Sequence, residues 1–338
     1  MIKKKTTLFV LAATICITTM FLASSCRNSA DTDPSRYLPS VSGNAGDVLI
    51  VINRNFWEGE VGDALRDILA CDYPFLPQRE PVFTLYNTPH SSFSGSFMVH
   101  RNIIIANISP EIDSAGMEYH SNVWAKPQVV VGINARDEKE AVAMIGENRE
   151  MIVNTIEQGE RDRIINNSIK FEDRSVRETV TGIIGGSPYF PRGYTIKKKT
   201  GECIWISQET TYVNQGILVF KFPYTDPAQL SREYMEKKLY SLWQKHVPGM
   251  RENSYMTPNR LIQPSFENIS YRGMPMIEMR GLWEVENDYM GGPFVCHIFP
   301  DRQNRNIIIL NGFVYAPKYD KRNYLRQVES ILYSFRWK

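Results

Sequence analysis

The chain has 338 residues, 43% of them hydrophobic and 22% charged, a balance that excludes whole-chain disorder, collagen and coiled coil. Residues 1–25 read as a leader, and removing its Lys3, Lys4 and Lys5 takes 39 bases to 36 against 37 acids. The mature chain therefore lacks the basic surplus that binding to a phosphate backbone requires, and no nucleic-acid partner is expected.

The leader's three lysines are followed by an apolar run, Leu8–Leu22. At about 15 residues it falls short of the roughly 20 that a spanning helix needs, so it reads as a signal peptide. Ala23-Ser24-Ser25-Cys26 is similar to a bacterial lipobox, although Ala23 stands where that pattern has leucine. Cys26 is the expected lipidation site, because more than one acyl chain on it would give stable anchoring. Residues 26–46, rich in Ser, Asp, Pro and Gly, read as a lipidated tether. The expected location is the cell envelope, with the protein anchored to the outer membrane and facing the periplasm.

In the body, strand signals fall at Asp47–Ile52, Asn102–Ile105, Gln128–Gly132, Gly216–Phe220 and Asn306–Phe313, where β-branched runs are bounded by turn residues. Val61, Leu65, Ile68 and Leu69 make one helical stripe, and Ala141, Ile145, Ile152 and Ile156 a second after capping Asp137. A helical continuation is expected from Glu160 to Gly186. A hairpin then joins Ile196–Thr200 to Cys203–Ser207, with Lys197–Lys199 on an edge strand. Ala228, Met235, Leu239 and Leu242 form a third stripe, opened by Asp226 and Pro227. Leu325, Val328, Leu332 and Phe335 form a fourth.

The class is α+β, with mixed or antiparallel sheets and helices packed on one face. Arg101–Ile105 and Arg305–Ile309 both read Arg-Asn-Ile-Ile-Ile. Each half orders its elements as β-α-β-β-α, so a diverged duplication and two unrelated α+β halves both remain open. The expected domains are 1–25 signal peptide, 26–46 tether, 47–186 N-terminal half and 187–338 C-terminal half.

The mature chain shows no GxSxG elbow, HExxH helix, P-loop or dinucleotide turn. Cofactors and metals are not implied, since His90, His100, His120, His246 and His297 include no pair at helical ligand spacing. Cys71, Cys203 and Cys296 allow at most one bridge and read as small buried hydrophobes. Cys296 and His297 are adjacent on a strand, so their side chains face opposite ways and make a poor catalytic couple.

Two features hint at a surface. Aromatic residues occupy loops at Trp57 and Phe75, and the stretch Met279–Phe294 carries Trp283, Glu284, Glu286 and Tyr289. On a strand Glu284 and Glu286 would share one face about 7 Å apart, a spacing compatible with the acid pair of an inverting glycosidase. Such alternation is also what any half-exposed strand shows. The main reading is a non-catalytic binding or accessory protein with an envelope protein or glycan partner. The rival reading is a hydrolase of envelope glycan or peptide, and a plain spacer is a third.

The leader, Leu76-Pro77-Gln78-Arg79-Glu80-Pro81-Val82-Phe83, the Trp283–Phe294 stretch, and Gly312–Pro317 with Asp320–Tyr324 together resemble a family of uncharacterised lipoproteins of Bacteroidota-type bacteria, a domain-of-unknown-function family. The resemblance covers most of the mature chain. It implies an envelope location, with no activity, cofactor or catalytic residue attached.

Overall fold

The first strand, β1 (Asp47–Val51), is buried at all five positions, as a strand covered on both faces of a parallel sheet must be. It lies between β2 (Thr84–Thr88) and β3 (Asn102–Ile108), parallel to both. Then β4 (Gly116–Ser121) runs antiparallel to β5 (Val129–Ala135), which pairs parallel with β3. The computed structural model describes residues 37–338. The expected leader, Cys26 and the first part of the tether lie outside the described residues.

Helices cover one face of this five-stranded sheet: α1 (Arg54–Trp57), α2 (Glu60–Leu69), α3 (Glu138–Glu147) and α4 (Arg149–Lys170). Val48, Ile50 and Ile52 meet Val61, Leu65 and Leu69 of α2, Ala141 and Ile145 of α3, and Ile152 and Ile156 of α4. The stripe Ala141–Ile156 is therefore carried by two helices, not one. The chain turns at Asn148, whose backbone is non-helical and whose side-chain amide donates to the Met144 carbonyl at 2.9 Å. On the opposite face Leu49, Val51, Ile103 and Val130 lie under Phe93 and Trp124. The chain is bonded to this sheet before β1: Ser42 donates to the Val99 carbonyl and accepts from the Arg101 amide. The segment expected to continue the tether up to residue 46 thus joins the body from Ser40.

After α5 (Arg174–Ile184), β6 (Gly186–Ser187) leads into the second sheet. Its strands are β7 (Thr195–Lys199), β8 (Cys203–Glu209), β9 (Asn214–Pro223), β10 (Met256–Pro258), β11 (Ser265–Tyr271), β12 (Met274–Val285), β13 (Gly291–Pro300) and β14 (Asn306–Tyr315). The order is β10-β12-β13-β14-β9-β8-β7, with β11 also on β12, and every pairing is antiparallel. β7, with its three lysines, is an edge strand. A short β15 (Arg336–Trp337) pairs with β6.

Of the two readings left open, these topologies favour two unlike α+β halves. Parallel strands need long crossovers whereas antiparallel neighbours need only turns, so Arg101–Ile105 and Arg305–Ile309 enter sheets of different design. Helices on one face describes the first sheet only. The second lies between α6 (Arg232–His246), packed on Leu218, Phe220, Ile307 and Ile309, and α7 (Arg322–Tyr333), packed on Ile217, Val219, Ile308 and Leu310. The start of α6 is also later than expected. Asp226 and Gln229 cap a separate short turn, Pro227–Leu230, after which Ser231 returns the backbone to an extended conformation and caps α6 through the Tyr234 amide.

α7 also meets α4, so one helical layer and one core serve both sheets. It lies directly on β14 at Gly312, where a Cβ would come within 2.2 Å of Val328 Cγ1. Its N-terminus is capped from the other half of the chain: buried Glu80 accepts the Lys321 and Arg322 amides at 2.7 and 2.8 Å. A carboxylate on otherwise unpaired helical N–H groups is favoured by both hydrogen bonding and the helix dipole. The Leu76–Phe83 and Gly312–Tyr324 segments are thereby brought together. Removing an N-cap acceptor costs about 1 kcal/mol and up to about 2, so Glu80→Ala should lower unfolding free energy by that amount in urea titration. A variant indistinguishable from wild type would show that Glu80 contributes no cap.

Candidate functional site

Four of the six expected surface residues converge. Trp283, Glu284, Glu286 and Tyr289 line a depression of about 460 Å³ at the β12–β13 turn, together with Asn259, Arg260 and Pro77. Trp57 and Phe75 lie outside it. The Trp57 ring packs on the core and carries the Arg66 guanidinium at 4.5 Å. Phe75 is a half-buried turn residue in the left-handed region, φ 57°. Trp283 is itself buried, stacked edge-on to Phe313 at 5.4 Å with its indole N–H unpartnered. Within this surface it acts as floor.

The strand reading of the two acids holds for Glu284 only. β12 ends at Val285, and Glu286 enters a turn whose tip, Asn287, has φ 61°. Each carboxylate is held by its own donor from the segment after β10: Asn259 Nδ2 donates to Glu284 at 2.9 Å and Arg260 Nη2 to Glu286 at 2.6 Å. Asp288 pairs with Arg251 at 3.6 Å, and the Asn287 amide donates to the Asn253 carbonyl. Acidic residues of the hairpin thus bind the loops at 248–255 and 259–264 to the turn.

These braced loops expose large apolar groups. Tyr289 is 96% exposed, Leu261 92% and Met250 87%. Loop tips with this chemistry are common contact surfaces. Sequence reading missed Met250, Leu261 and their bracing arginines, because a lone apolar residue in a loop does not reveal which way it points.

A second polar constellation is buried between α4, α7 and β12, and of its residues the sequence had singled out His297 alone, as half of a poor catalytic couple. Glu329 receives Arg280 Nη2 at 2.5 Å, Arg161 Nη2 at 3.4 Å and the Tyr73 hydroxyl at 3.3 Å. Glu278 accepts Arg280 Nε at 2.7 Å and the Tyr333 hydroxyl at 2.8 Å, with His297 Nε2 at 3.3 Å. Glu157 pairs with Arg326, and Arg161 lies 4.1 Å over the Tyr333 ring. A shallow cavity of about 400 Å³ opens beside Tyr73, Glu157, Arg161, Arg280 and Glu329.

Burial alone would raise the Glu278 and Glu329 carboxyls, but Arg280 together with His297 at Glu278 and with Arg161 at Glu329 outweighs it and holds both below the usual carboxylate range. Burial pushes the Tyr73 and Tyr333 phenols up, so both stay neutral donors. Three carboxylates face three guanidiniums, and this balance makes the cluster an internal ion network. Cys296 and His297 do face opposite ways. Cys296 joins the core under α6, whereas His297 meets Glu278 and Tyr333 on the α7 face. The three described thiols are unbridged; Cys203 and Cys296 are buried, and Cys71, expected to be buried, is exposed.

Because the folded-state pKa values of Glu278 and Glu329 are depressed, their stabilisation is present above the unfolded value of about 4.3 and is lost as pH falls through the folded values. Unfolding free energy should hold above about pH 5 and decline below it. Glu329→Gln leaves Arg161 and Arg280 undercompensated and should cost about 3–5 kcal/mol, with a shallower acid decline. Urea titrations from pH 7 downward test both, and a loss below about 1 kcal/mol would remove Glu329 from its central place.

Comparison with known proteins follows the two-sheet division. No curated protein matches the chain. Among solved structures, it is similar to a mutant of the protein Mog1 at 10% identity, over 45% of this chain and 90% of that one, with a TM-score of 0.28. Residues 41–168 match the family model of a domain of unknown function, DUF8532, and residues 173–334 match that of another, DUF4837.

Proposed function

We propose that this chain is a non-catalytic binding or accessory protein of the cell envelope, anchored to the outer membrane through lipid on Cys26 and facing the periplasm. It docks a partner protein through Met250, Leu261 and Tyr289. The observation that carries the reading is the near-complete exposure of these three side chains on loops that ion pairs and hydrogen bonds hold in place. Rigid display lowers the ordering cost of association. Arg251 and Arg260 are matched by Asp288 and Glu286, so the surface carries apolar groups without a net positive field, which favours a protein over an anionic lipid surface. A hydrolase using Glu284 and Glu286 gains nothing from the geometry, since each carboxylate is bound to a different loop donor in an open depression. The anchor rests on the leader and the Ala23–Cys26 motif. Among the described residues no helix is long and apolar enough to cross a membrane.

The test is crosslinking and affinity purification of the tagged full chain from its native envelope, beside Cys26→Ala and the triple variant Met250→Ser/Leu261→Ser/Tyr289→Ser. The triple variant should stay in the membrane fraction, keep its unfolding midpoint within a few degrees and lose the stoichiometric partner. Cys26→Ala should move to the soluble fraction. Retention of the partner by the triple variant, or saturable binding of envelope glycan to that same variant, would sink the docking surface.

A further inference from the structure

Residues of α4, the segment Pro191–Tyr194, β8 and α7, with Arg101, line an open cavity of about 370 Å³. Its wall comes from both matched regions: Arg101, Arg163 and Asn167 from the first, Arg192, Tyr194 and Gln208 from the second. Cavities at such junctions are preferred ligand sites. This one shares no residue with the docking surface and stands apart from that reading.

Three observations describe what the cavity accepts. The first is Tyr194, a lining residue that is 2% exposed and whose buried hydroxyl has no hydrogen-bond partner. A buried unpaired hydroxyl costs about 1–3 kcal/mol, so an acceptor arriving in the cavity would recover that loss. Burial pushes this phenol up, and it remains a neutral donor at physiological pH.

The second is charge. Glu160, buried beside the cavity, meets two guanidiniums, Arg101 at 3.1 Å and Arg163 at 2.9 Å. Arg163 is further fixed by the Pro127 and Arg101 carbonyls and Asn102 Oδ1. Asp162, whose charge also acts on Arg163, is itself paired with Arg272, so the group keeps a positive surplus, and Arg192 adds another charge at the exposed rim. Asp173, whose charge Arg192 feels, accepts on Oδ1 from the Ser175 amide and hydroxyl and the Val176 amide at the start of α5.

The third is the approach of Gln208. Gly193 has φ 102°, and a Cβ there would lie 3.0 Å from Gln208 Nε2. Only a glycine supplies both this conformation and the room for the carboxamide under the loop.

We infer that the cavity binds a small oxyanion, carboxylate or phosphate, with Tyr194 and Gln208 as donors and Arg192 closing over its charge. Donors to a charged acceptor are stronger than those between neutral groups, and Arg192 is placed to pair with a planar carboxylate or a phosphate.

The test uses the full chain in detergent, titrated separately with inorganic phosphate and with succinate, each against sodium chloride at matched ionic strength, by calorimetry and thermal unfolding. Saturable binding and a rise in unfolding midpoint beyond the chloride control are expected with at least one anion. Phosphate alone assigns a phosphoryl source and succinate alone a carboxylate source. Tyr194→Phe keeps the ring and removes the unpaired hydroxyl, so its midpoint without anion should equal or exceed that of wild type; Arg192→Gln changes an exposed side chain and should leave that midpoint unchanged; each should bind at least about tenfold more weakly. If neither anion binds beyond the chloride control, or both variants bind as wild type does, the cavity is not an anion site.

Discussion

The carboxylate of Glu329, shared by Arg161 and Arg280, is the interaction on which the arrangement of the molecule depends. It lies where α4, α7 and β12 meet, so it joins the helix that covers the first sheet to the helix that covers the second. Removing such groups from water costs several kcal/mol per ion, and only complete pairing with good geometry offsets that cost. Each acid here has its guanidinium, and Tyr73, Tyr333 and His297 occupy remaining acceptor positions. A network of this kind adds less to net stability than an apolar core of equal volume would. It does discriminate among packings, because a helix displaced along its axis would leave a buried charge unpaired.

Once that layer is set, the two surfaces with functional promise follow from it. Glu80 reaches α7 only because α7 lies against the first half of the chain, and the same docking aligns the junction cavity between α4 and α7. At the far end of β12 the sheet runs out into loops, where charge pairing takes over from core packing. Glu284, Glu286 and Asp288 hold segments that bury little apolar surface of their own. Apolar side chains left exposed on such braced loops are available to another molecule without prior ordering.

Much of the fold was legible in the residues. The β-branched runs at Asp47, Asn102, Gly216 and Asn306 became strands, the lysines of β7 marked an edge, and the stripes of apolar residues marked helices facing a sheet, one of them divided between α3 and α4. The errors were local. Asn148 divides a continuous stripe because its side chain satisfies a terminal carbonyl, which periodicity does not register. Ser231 outcompeted Asp226 as the cap of α6 because the intervening turn had its own complete capping box. Glu286 left the strand because the hairpin turns at Asn287.

Period and capping are properties of residues within a few positions of one another, and they determined the helices, the strands and the α+β class by themselves. Whether a strand pairs parallel or antiparallel, and which face a tryptophan such as Trp283 presents, depends on partners supplied from elsewhere in the chain. The ion network is the extreme case: Tyr73 and Glu329 are 256 residues apart. No local pattern encodes such a contact, because its free energy appears only after both helices and the sheet between them have excluded water. The same holds for the unpaired hydroxyl of Tyr194 and the exposure of Tyr289, one enclosed and one displayed by the same packing.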